Sequence, residues 1–403
     1  MSSPTSQTQE KRDWLPIATV LVALVPGIAA IVALIFTRGQ LQATDVQLQI
    51  AEVGQITDRY NAAITNLGSA SIDIRLGGIY ALQRLMQDSP RDQATIIAVL
   101  CAFARESTAS NPRPQDSSPP SLPTDIQAAL TVVGTRNTAR DGRSTVIDLD
   151  HALLAGGQLA HLHLADADLA GANLSSANLT DTHLAEANLA GTDLAGTNLI
   201  DSHLADANLS GANLTMAHLT DTDLALANFS HANLTGAVFS GANLTGASFF
   251  GANLTGAVLD GETLPHLSFA TANLTGADVS DANLAHGYFI AAELAGVTFV
   301  NADLTGADLT GADLTGADIR QTDLTGENLS DADLAGANLY AANLTGANLM
   351  GANLTNANLY AAKLRNVKLT DANLTGAYWP RAVLAPAGWQ RNPGSGRLER
   401  AGP

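Results

Sequence analysis

Every fifth residue is apolar between Leu149 and Leu374, which gives 46 consecutive apolar positions at one spacing. Nearly all of them are Leu, and the residue two places before each is small and usually Ala. A period of five matches neither the 3.6-residue period of an α-helix nor the two-residue alternation of a flat strand. The chain is therefore predicted to turn after every short extended segment, which is typical of repeat architectures.

Each five-residue unit is predicted to form a short strand followed by a corner. In the LTGA segments Gly falls on the third position of the turn, where a type II turn requires a positive φ. The Leu and the small residue before it are expected to point inward. The Asn or Asp between them, and the Thr and Gly after the Leu, are expected to face water.

The exceptions to Leu indicate how many units complete one coil. Every exception has a residue number ending in nine, so the structural repeat is longer than one unit. Four of them recur at intervals of twenty, which predicts four units per coil and a core ladder of stacked rings: Phe229, Phe249, Phe269 and Phe289. Two further rings are expected on the opposite wall, Phe239 and Phe299. With strands about 4.8 Å apart, the coils form a rod of roughly 55 Å.

The A(N/D)Lxx units from about Thr145 to Ala377 resemble the pentapeptide-repeat family. The resemblance implies a mainly β fold, the right-handed quadrilateral β-helix, over residues 145–378. The stretches GQITDRYNAAITNLGS and IRLGGIYALQRL are similar to the helical region that precedes the repeats in membrane-anchored bacterial members. The resemblance therefore also implies a transmembrane helix and a small α-helical module before the rod.

A few units depart from the repeat. The small inward position is occupied by a larger residue at Glu262, Leu267, Val297, Glu327 and Val367, and Pro265 follows a central Leu. A buried carboxylate needs a partner or must turn outward. We therefore expect a bulged or distorted coil near Gly261 to Leu267.

An uncharged run of 22 residues, Leu15 to Phe36, follows a polar tail of residues 1–14. The run is long enough to cross a bilayer, so residues 15–37 are predicted to be a retained transmembrane helix and the protein to be single-pass in the cell membrane. The alternative is a buried helix of a globular domain. Two basic residues before the run against one after it favour an external rod. The single cysteine and the family resemblance favour a cytoplasmic rod, which is the side we assign.

The segments between the anchor and the rod are predicted to be mostly helical. A helical module is assigned to 40–108, because apolar residues recur at spacings of three and four: Val46, Ile50, Val53, Ile56, Tyr60, Ile64 and Leu67. Ser89 is predicted to cap its third helix, with Pro90 at the first position. Residues 109–124 are rich in Pro and Ser and are interpreted as a linker.

Both ends of the rod are predicted to be covered. Residues 125–144 are interpreted as a capping helix and entry loop, with Thr124 and Gln127 as a capping box, because open strand edges and apolar interior invite aggregation. Residues 379–403 are interpreted as a C-terminal cap followed by a flexible tail.

Charge and composition exclude several classes of function. Residues 145–378 carry 25 acidic and 4 basic side chains, whereas residues 1–144 carry 12 of each. An acidic rod does not favour direct nucleic-acid binding, which depends on Lys and Arg. The sequence has no phosphate-binding loop, no CxxC pair and no HExxH helix, so neither an enzyme nor a cofactor is predicted. Cys101 lies on an apolar helix face, where a buried structural thiol is expected.

One column of side chains is a candidate for metal binding or a pH response. His163, His183 and His203 are twenty residues apart, so they are expected to stack, with Asp181, Asp201 and Asp221 in a column beside them. Stacked strands place ligands in a line rather than in the tetrahedron that zinc prefers. We therefore assign no metal, and these histidines are the candidates if one binds.

Two functions remain. The first is a non-enzymatic, membrane-tethered scaffold that presents the rigid acidic rod to an unidentified protein partner. The alternative, implied by the family resemblance, is a rod that mimics DNA and binds a DNA-handling enzyme such as gyrase.

Overall fold

A computed structural model describes the backbone of residues 15–109 and 121–402, and the side chains of residues 27–107 and 121–402. The chain divides into two compact units, Met1–Ile64 and Thr65–Pro403. The elements in chain order are α1 (Leu15–Leu67), α2 (Ile72–Asp88), α3 (Gln93–Ala109), α4 (Thr124–Gly134), β1 (Trp389–Arg391) and β2 (Leu398–Arg400). The repeats lie between α4 and β1. The predicted tail of 1–14 and most of the predicted linker lie outside the described residues.

The first unit contains one uninterrupted helix where we predicted an anchor followed by a separate helix. α1 continues from Leu15 to Leu67 and passes without interruption from the predicted span of 15–37 into the predicted helical module of 40–108. The segment there lacks proline, and its single Gly39 costs a helix only about 1 kcal/mol. The boundary at Ile64 also divides the helical module predicted for 40–108. The first part of its predicted core face is exposed, with Val46 at 54% and Ile50 at 67%.

The second unit begins with α2, α3 and α4, which pack together. Arg75 on α2 donates a hydrogen bond of 2.6 Å from Nε to Oδ2 of the buried Asp125 on α4. Cys101 is buried on α3, as predicted. Burial raises the pKa of its thiol to about 12. The side chains of Ile96, Ile97 and Leu100 on α3 are also fully buried.

The start of the third helix differs from the prediction in one detail. Ser89 precedes a short 3-10 turn, Pro90–Asp92, and α3 begins only at Gln93. Pro90 occupies the first position of that turn, as expected. The Ser89 hydroxyl donates to Asp92 Oδ2 at 2.6 Å instead of capping a backbone N–H.

The repeats form a coil in which each residue at the middle of a side pairs with the residue twenty places later. The parallel bridges begin with Asp148 and Asp168 and continue to Asn358 and Tyr378. Four pentapeptides therefore complete one coil, as predicted. The inward positions are buried and the residues between them are partly exposed, which confirms the predicted orientation of the unit. The third residue of each corner has a positive φ, for example 53° at His151 and 68° at Gly156.

The predicted phenylalanine column is present inside the rod. Phe229 and Phe249 stack with ring centroids 5.1 Å apart and planes 2° apart. The column continues at 5.2 Å and 5.1 Å through Phe269 and Phe289. Phe239 meets Phe229 edge to face at 6.2 Å. All of these rings are fully buried, so the column is part of the continuous core.

Helix α4 covers the N-terminal end of the rod. Leu130 of α4 lies against the first leucines of the repeat, including Leu149 and Leu164. The predicted capping box is wrong, because Pro123 precedes the helix and no side chain caps it. The Gln127 side chain instead pairs with the backbone of Gln158, donating to its carbonyl at 2.5 Å and accepting from its N–H at 2.9 Å. This amide replaces the strand that the first coil lacks.

The C-terminal segment is a hairpin rather than the predicted flexible tail. Strands β1 and β2 pair antiparallel, with Trp389 opposite Arg400. Leu398 is buried, donates its N–H to Ala377 O at 2.9 Å and accepts from Gly376 N–H at 2.8 Å. The Arg397 guanidinium packs over the Tyr378 ring at 4.1 Å from its centroid. These contacts attach the hairpin to one side of the last coil.

The two inward glutamates interrupt the backbone ladder. Glu262 Oε1 accepts a hydrogen bond from Gly241 N–H at 2.5 Å, and Glu327 Oε1 accepts one from Gly306 N–H at 2.6 Å. In this fully described stretch, the bridge that would join Asn243 to residue 263 is not formed. The predicted distortion near Gly261 to Leu267 is therefore confirmed as a local loss of pairing. The predicted bulge is absent there, because the five-residue register continues and residues 264 and 267 remain buried.

Candidate interaction surface

The sides of the rod carry ladders of amide side chains that bond along its axis. Asn188 Nδ2 donates to Asp168 Oδ1 at 3.0 Å, and Asn208 Nδ2 donates to Asn188 Oδ1 at 3.3 Å. On another side, Asn213 donates to Asp193 at 2.9 Å. Each bond restrains two side chains on successive coils. The sides are therefore polar surfaces, and hydrogen bonds along the rod already restrain the rotamers of their side chains.

One side near the N-terminal end combines histidines with carboxylates, and we call it the histidine face. His163, His183 and His203 occupy the middle of this side in successive coils. The corner before them carries carboxylates at Asp181, Asp201 and Asp221, and the corner after them carries carboxylates at Asp166, Glu186 and Asp206. Two acidic columns therefore border a column of imidazoles.

The imidazoles of the histidine face lie one above another, as the twenty-residue spacing predicts, with neighbouring ring planes tilted by 57°. The centroids of His163 and His183 are 4.6 Å apart, and those of His183 and His203 are 4.7 Å apart. Burial lowers the pKa of His183, and its two neighbouring histidines lower that pKa further. His183 is therefore neutral at pH 7. Among the described residues, no group of three or more His, Cys, Asp or Glu side chains is placed to hold a metal ion.

Asp181 links the acidic border to histidines in two coils. Its Oδ2 lies 2.9 Å from His161 Nδ1, and its Oδ1 lies 3.6 Å from His203 Nε2. The bond with His161 lowers the pKa of Asp181, so this carboxyl is ionised at neutral pH. His161 was not among the residues predicted for this face. The signal was present, because residue 161 stands twenty places before residue 181 in the same corner.

Two other sets of interactions are evident only in the structure. The Gln127 pairing with Gln158 joins α4 to the first coil. The inward glutamates have altered acidities, because burial raises the pKa of Glu262 and raises the pKa of Glu327 to about 7. The sequence shows a glutamate at each of these inward positions, but it does not show the hydrogen bond that each glutamate accepts from a corner glycine.

The family profile described as pentapeptide repeats matches the chain repeatedly, over residues 147–185, 187–225, 222–261, 247–287, 272–311, 288–326 and 328–366. The chain belongs to the pentapeptide-repeat family. These matches span more than half of its length, and the twenty-residue coil described above is the geometry that the repeat generates. No match was found among curated proteins.

Solved structures of pentapeptide-repeat proteins are similar to part of the chain. One is HetL, a protein of heterocyst differentiation regulation from the cyanobacterium Nostoc sp., with 32% identity, coverage of 52% of this chain and 91% of HetL, and a TM-score of 0.37. Another is QnrB1, a plasmid-mediated fluoroquinolone resistance protein, with 20% identity, coverage of 45% of this chain and 92% of QnrB1, and a TM-score of 0.35. A third is a thylakoid lumen protein from Arabidopsis thaliana, with 31% identity, coverage of 30% of this chain and 66% of the Arabidopsis protein, and a TM-score of 0.15.

One helix of this pentapeptide-repeat protein is long and apolar enough to cross a membrane. The part of that helix whose side chains are described is Gly27–Leu67. No residue in its most apolar 18-residue stretch is buried. A signal sequence near the N-terminus satisfies the same criteria of length and composition. The predicted span of residues 15–37 overlaps this helix from residue 27 onward.

Proposed function

We propose that this protein is a non-enzymatic, membrane-tethered scaffold whose rod binds a protein partner through the histidine face. The observation that carries the proposal is the pair of carboxylate columns, with Asp181 and Asp201 on one border and Glu186 and Asp206 on the other. Their spacing is repeated by the coil, so the charges form two parallel lines rather than a scattered set.

The charge of the rod indicates the chemistry of that partner. Residues 145–360 contain 24 acidic side chains and a single basic one, Arg320. A cationic protein surface, bearing Lys or Arg, is complementary to such a rod and is drawn to it at long range. The amide ladders keep the flanking surface rigid, which lowers the entropic cost of binding.

The proposal can be tested by cross-linking membranes from cells that produce the full chain, followed by quantification of captured proteins. The test variant combines Asp181→Asn with Asp201→Asn, because Asn tolerates the positive φ of these corners. The matched control combines Asp281→Asn with Asp331→Asn, which removes equal charge from corner residues elsewhere. We expect a partner whose capture falls at least tenfold in the test variant and remains unchanged in the control.

Ionic strength provides a second criterion for the same partner. Its capture should decrease between about 50 mM and 300 mM salt, because screening weakens attraction between exposed charges. Equal capture by the wild type and both variants would refute the assignment of the histidine face. Failure to capture any protein in the wild type would refute the scaffold itself.

A DNA-mimicking rod is the second candidate, and the acidic columns are the observation that favours it. Carboxylates repeated at each coil offer a DNA-handling enzyme the kind of linear charge that it meets on phosphates. A supercoiling assay with gyrase and the purified full chain separates the two functions. Mimicry would be favoured over the scaffold by two results together. The wild-type chain would inhibit supercoiling at micromolar concentration, and the variant combining Asp181→Asn with Asp201→Asn would not.

We propose the cell membrane as the location, with residues 15–37 as the single span and the rod in the cytoplasm. The apolar helix described above supports the span. The side can be tested with a C-terminal tag and external protease on intact cells. A protected tag agrees with the proposal, whereas cleavage of the tag before the cells are lysed would place the rod outside.

A further inference from the structure

The two ends of the rod differ in how their exposed strand edges are paired. At the N-terminal end, Gln127 pairs with the N–H and carbonyl of Gln158. On the next side, His163 N–H donates to Gly134 O at 2.8 Å, and Arg136 donates to His163 O at 2.6 Å. Backbone groups of the first coil therefore obtain partners from α4 and the loop after it.

The last coil has such a partner on one side only. The hairpin pairs with Gly376 and Ala377 through Leu398. On the preceding two sides, four backbone N–H groups that would donate to a further coil make no hydrogen bond within residues 121–402, which are all described: those of Leu364, Asn366, Leu369 and Asp371. We call this segment, residues 361–371, the uncovered edge.

The side chains along the uncovered edge also lack the packing found elsewhere in the rod. Inward positions of the preceding coil, such as Leu344 and Leu349, are fully buried. Leu364, Val367 and Leu369 occupy the same kind of position but are only half-buried. An unpaired strand beside accessible apolar side chains is the template to which another extended chain adds.

The charge at the uncovered edge is opposite to that of the rest of the rod. Lys363, Arg365 and Lys368 are exposed, and none of them forms an ion pair within 4.0 Å in the described part of the chain. They lie on two adjacent sides and the corner between them. Residues 361–403 contain seven basic and two acidic side chains, against 24 acidic and one basic in residues 145–360.

We propose that the uncovered edge binds an acidic segment of another protein by β-strand addition, with a short strand on each of its two sides and a turn at the corner between them. The unpaired N–H groups supply the backbone hydrogen bonds, the half-buried side chains accept alternate apolar residues, and the three cations select carboxylates. This second surface goes beyond the proposed scaffold, because it uses the end of the rod and a partner of opposite charge. Its failure would leave the histidine face unaffected.

Other occupants fit these observations less well. Two copies meeting end to end would bring like charges together, and the N-terminal end of a second copy is already covered by α4. An anionic lipid surface satisfies the cations but offers no alternating backbone donors and acceptors to a strand edge.

Hydrogen exchange of the full chain in detergent, with and without a synthetic peptide, tests the proposal. The probe is a ten-residue peptide of alternating Val and Glu, compared with one of alternating Val and Lys. We expect the Val–Glu peptide to slow amide exchange at least tenfold at Leu364, Asn366 and Leu369, with no change in coils near residue 200. The Val–Lys peptide should leave all rates unchanged.

Charge reversal adds a matched pair of variants. Lys363→Glu combined with Lys368→Glu should weaken binding of the Val–Glu peptide at least tenfold, while Arg320→Glu, which removes a cation from the side of the rod, should not. Unchanged exchange in residues 149–200 shows that each variant is folded. Equal protection by both peptides, protection by phosphatidylserine vesicles alone, or protection that depends on protein concentration without peptide would each overturn the proposal.

Discussion

The Glu327 carboxyl accepts a hydrogen bond of 2.6 Å from the backbone N–H of Gly306. Glu327 occupies an inward position at which most repeats have Ala. Its side chain is 2% exposed. Burial disfavours the ionised form and raises the pKa of this carboxyl to about 7, although bonds from Gly306 and Ala307 oppose the shift. The glutamate therefore makes the stability of the rod depend on pH.

Glu327→Gln should stabilise the protein above pH 7. The folded pKa of Glu327 is raised above the ordinary value of 4.5, so its stabilising contribution is complete below that value and is lost as pH rises through about 7. Gln keeps the oxygen acceptor but cannot ionise. The variant should gain up to about 3 kcal/mol of unfolding free energy at pH 8 and almost nothing at pH 4.5.

Chemical denaturation of the full chain in detergent at both pH values measures this difference. The control is Glu293→Gln, which changes an exposed glutamate on a side of the rod. A gain for Glu327→Gln that is the same at pH 4.5 and pH 8 would show that ionisation is not its cause.

Gln127→Ala should destabilise the N-terminal end of the rod. The variant removes both hydrogen bonds between the Gln127 side chain and the backbone of Gln158, which lie in an exposed position where water replaces them in part. We expect a loss of about 1 kcal/mol and faster amide exchange at Gln158. Gln87→Ala on the exposed surface of α2 is the control and should alter neither quantity.

Phe249→Ala should cost about 3 to 5 kcal/mol of unfolding free energy, because it opens a cavity between two stacked rings. Phe249→Leu should cost less than about 1.5 kcal/mol, since most repeats place Leu at this position. The adjacent Phe250 is 46% exposed, and Phe250→Ala should change stability by less than about 0.5 kcal/mol. Similar losses for Phe249→Ala and Phe250→Ala would contradict the internal column.

Cys101 should not react with a thiol reagent at pH 8 while the protein is folded. Its thiol is buried and its pKa is about 12, so almost no thiolate is present. Because this is the single cysteine, the absorbance of Ellman's reagent reports on it directly. One equivalent should react after denaturation. Reaction of the folded protein at the rate of a free thiol would refute the buried assignment.

The rod itself was predictable to an unusual degree. The five-residue period determines which side chains point inward, and the Phe229 to Phe289 spacing determines the number of sides. The same rule predicted the stacking of His163, His183 and His203. These inferences succeed because each coil contacts only its neighbours, so the structure follows from local repetition.

The ends and exceptions were less predictable. Gln127 resembled part of a capping box but bonds to Gln158, thirty-one residues away. Residues 379–403 were predicted to form a cap followed by a flexible tail, yet Leu398 near their end is buried and pairs with the last coil. Neither contact has a periodic signal, since each occurs once and joins positions distant in sequence.

The sequence by itself determined the period, the inward and outward faces, the acidic charge of the rod and the apolar helix near residue 27. Only the tertiary structure decided how the strand edges at each end are paired and which corner N–H each inward glutamate meets. The physical reason is that burial follows from periodic local pattern, whereas edge pairing depends on non-repeating segments that reach the rod from outside it.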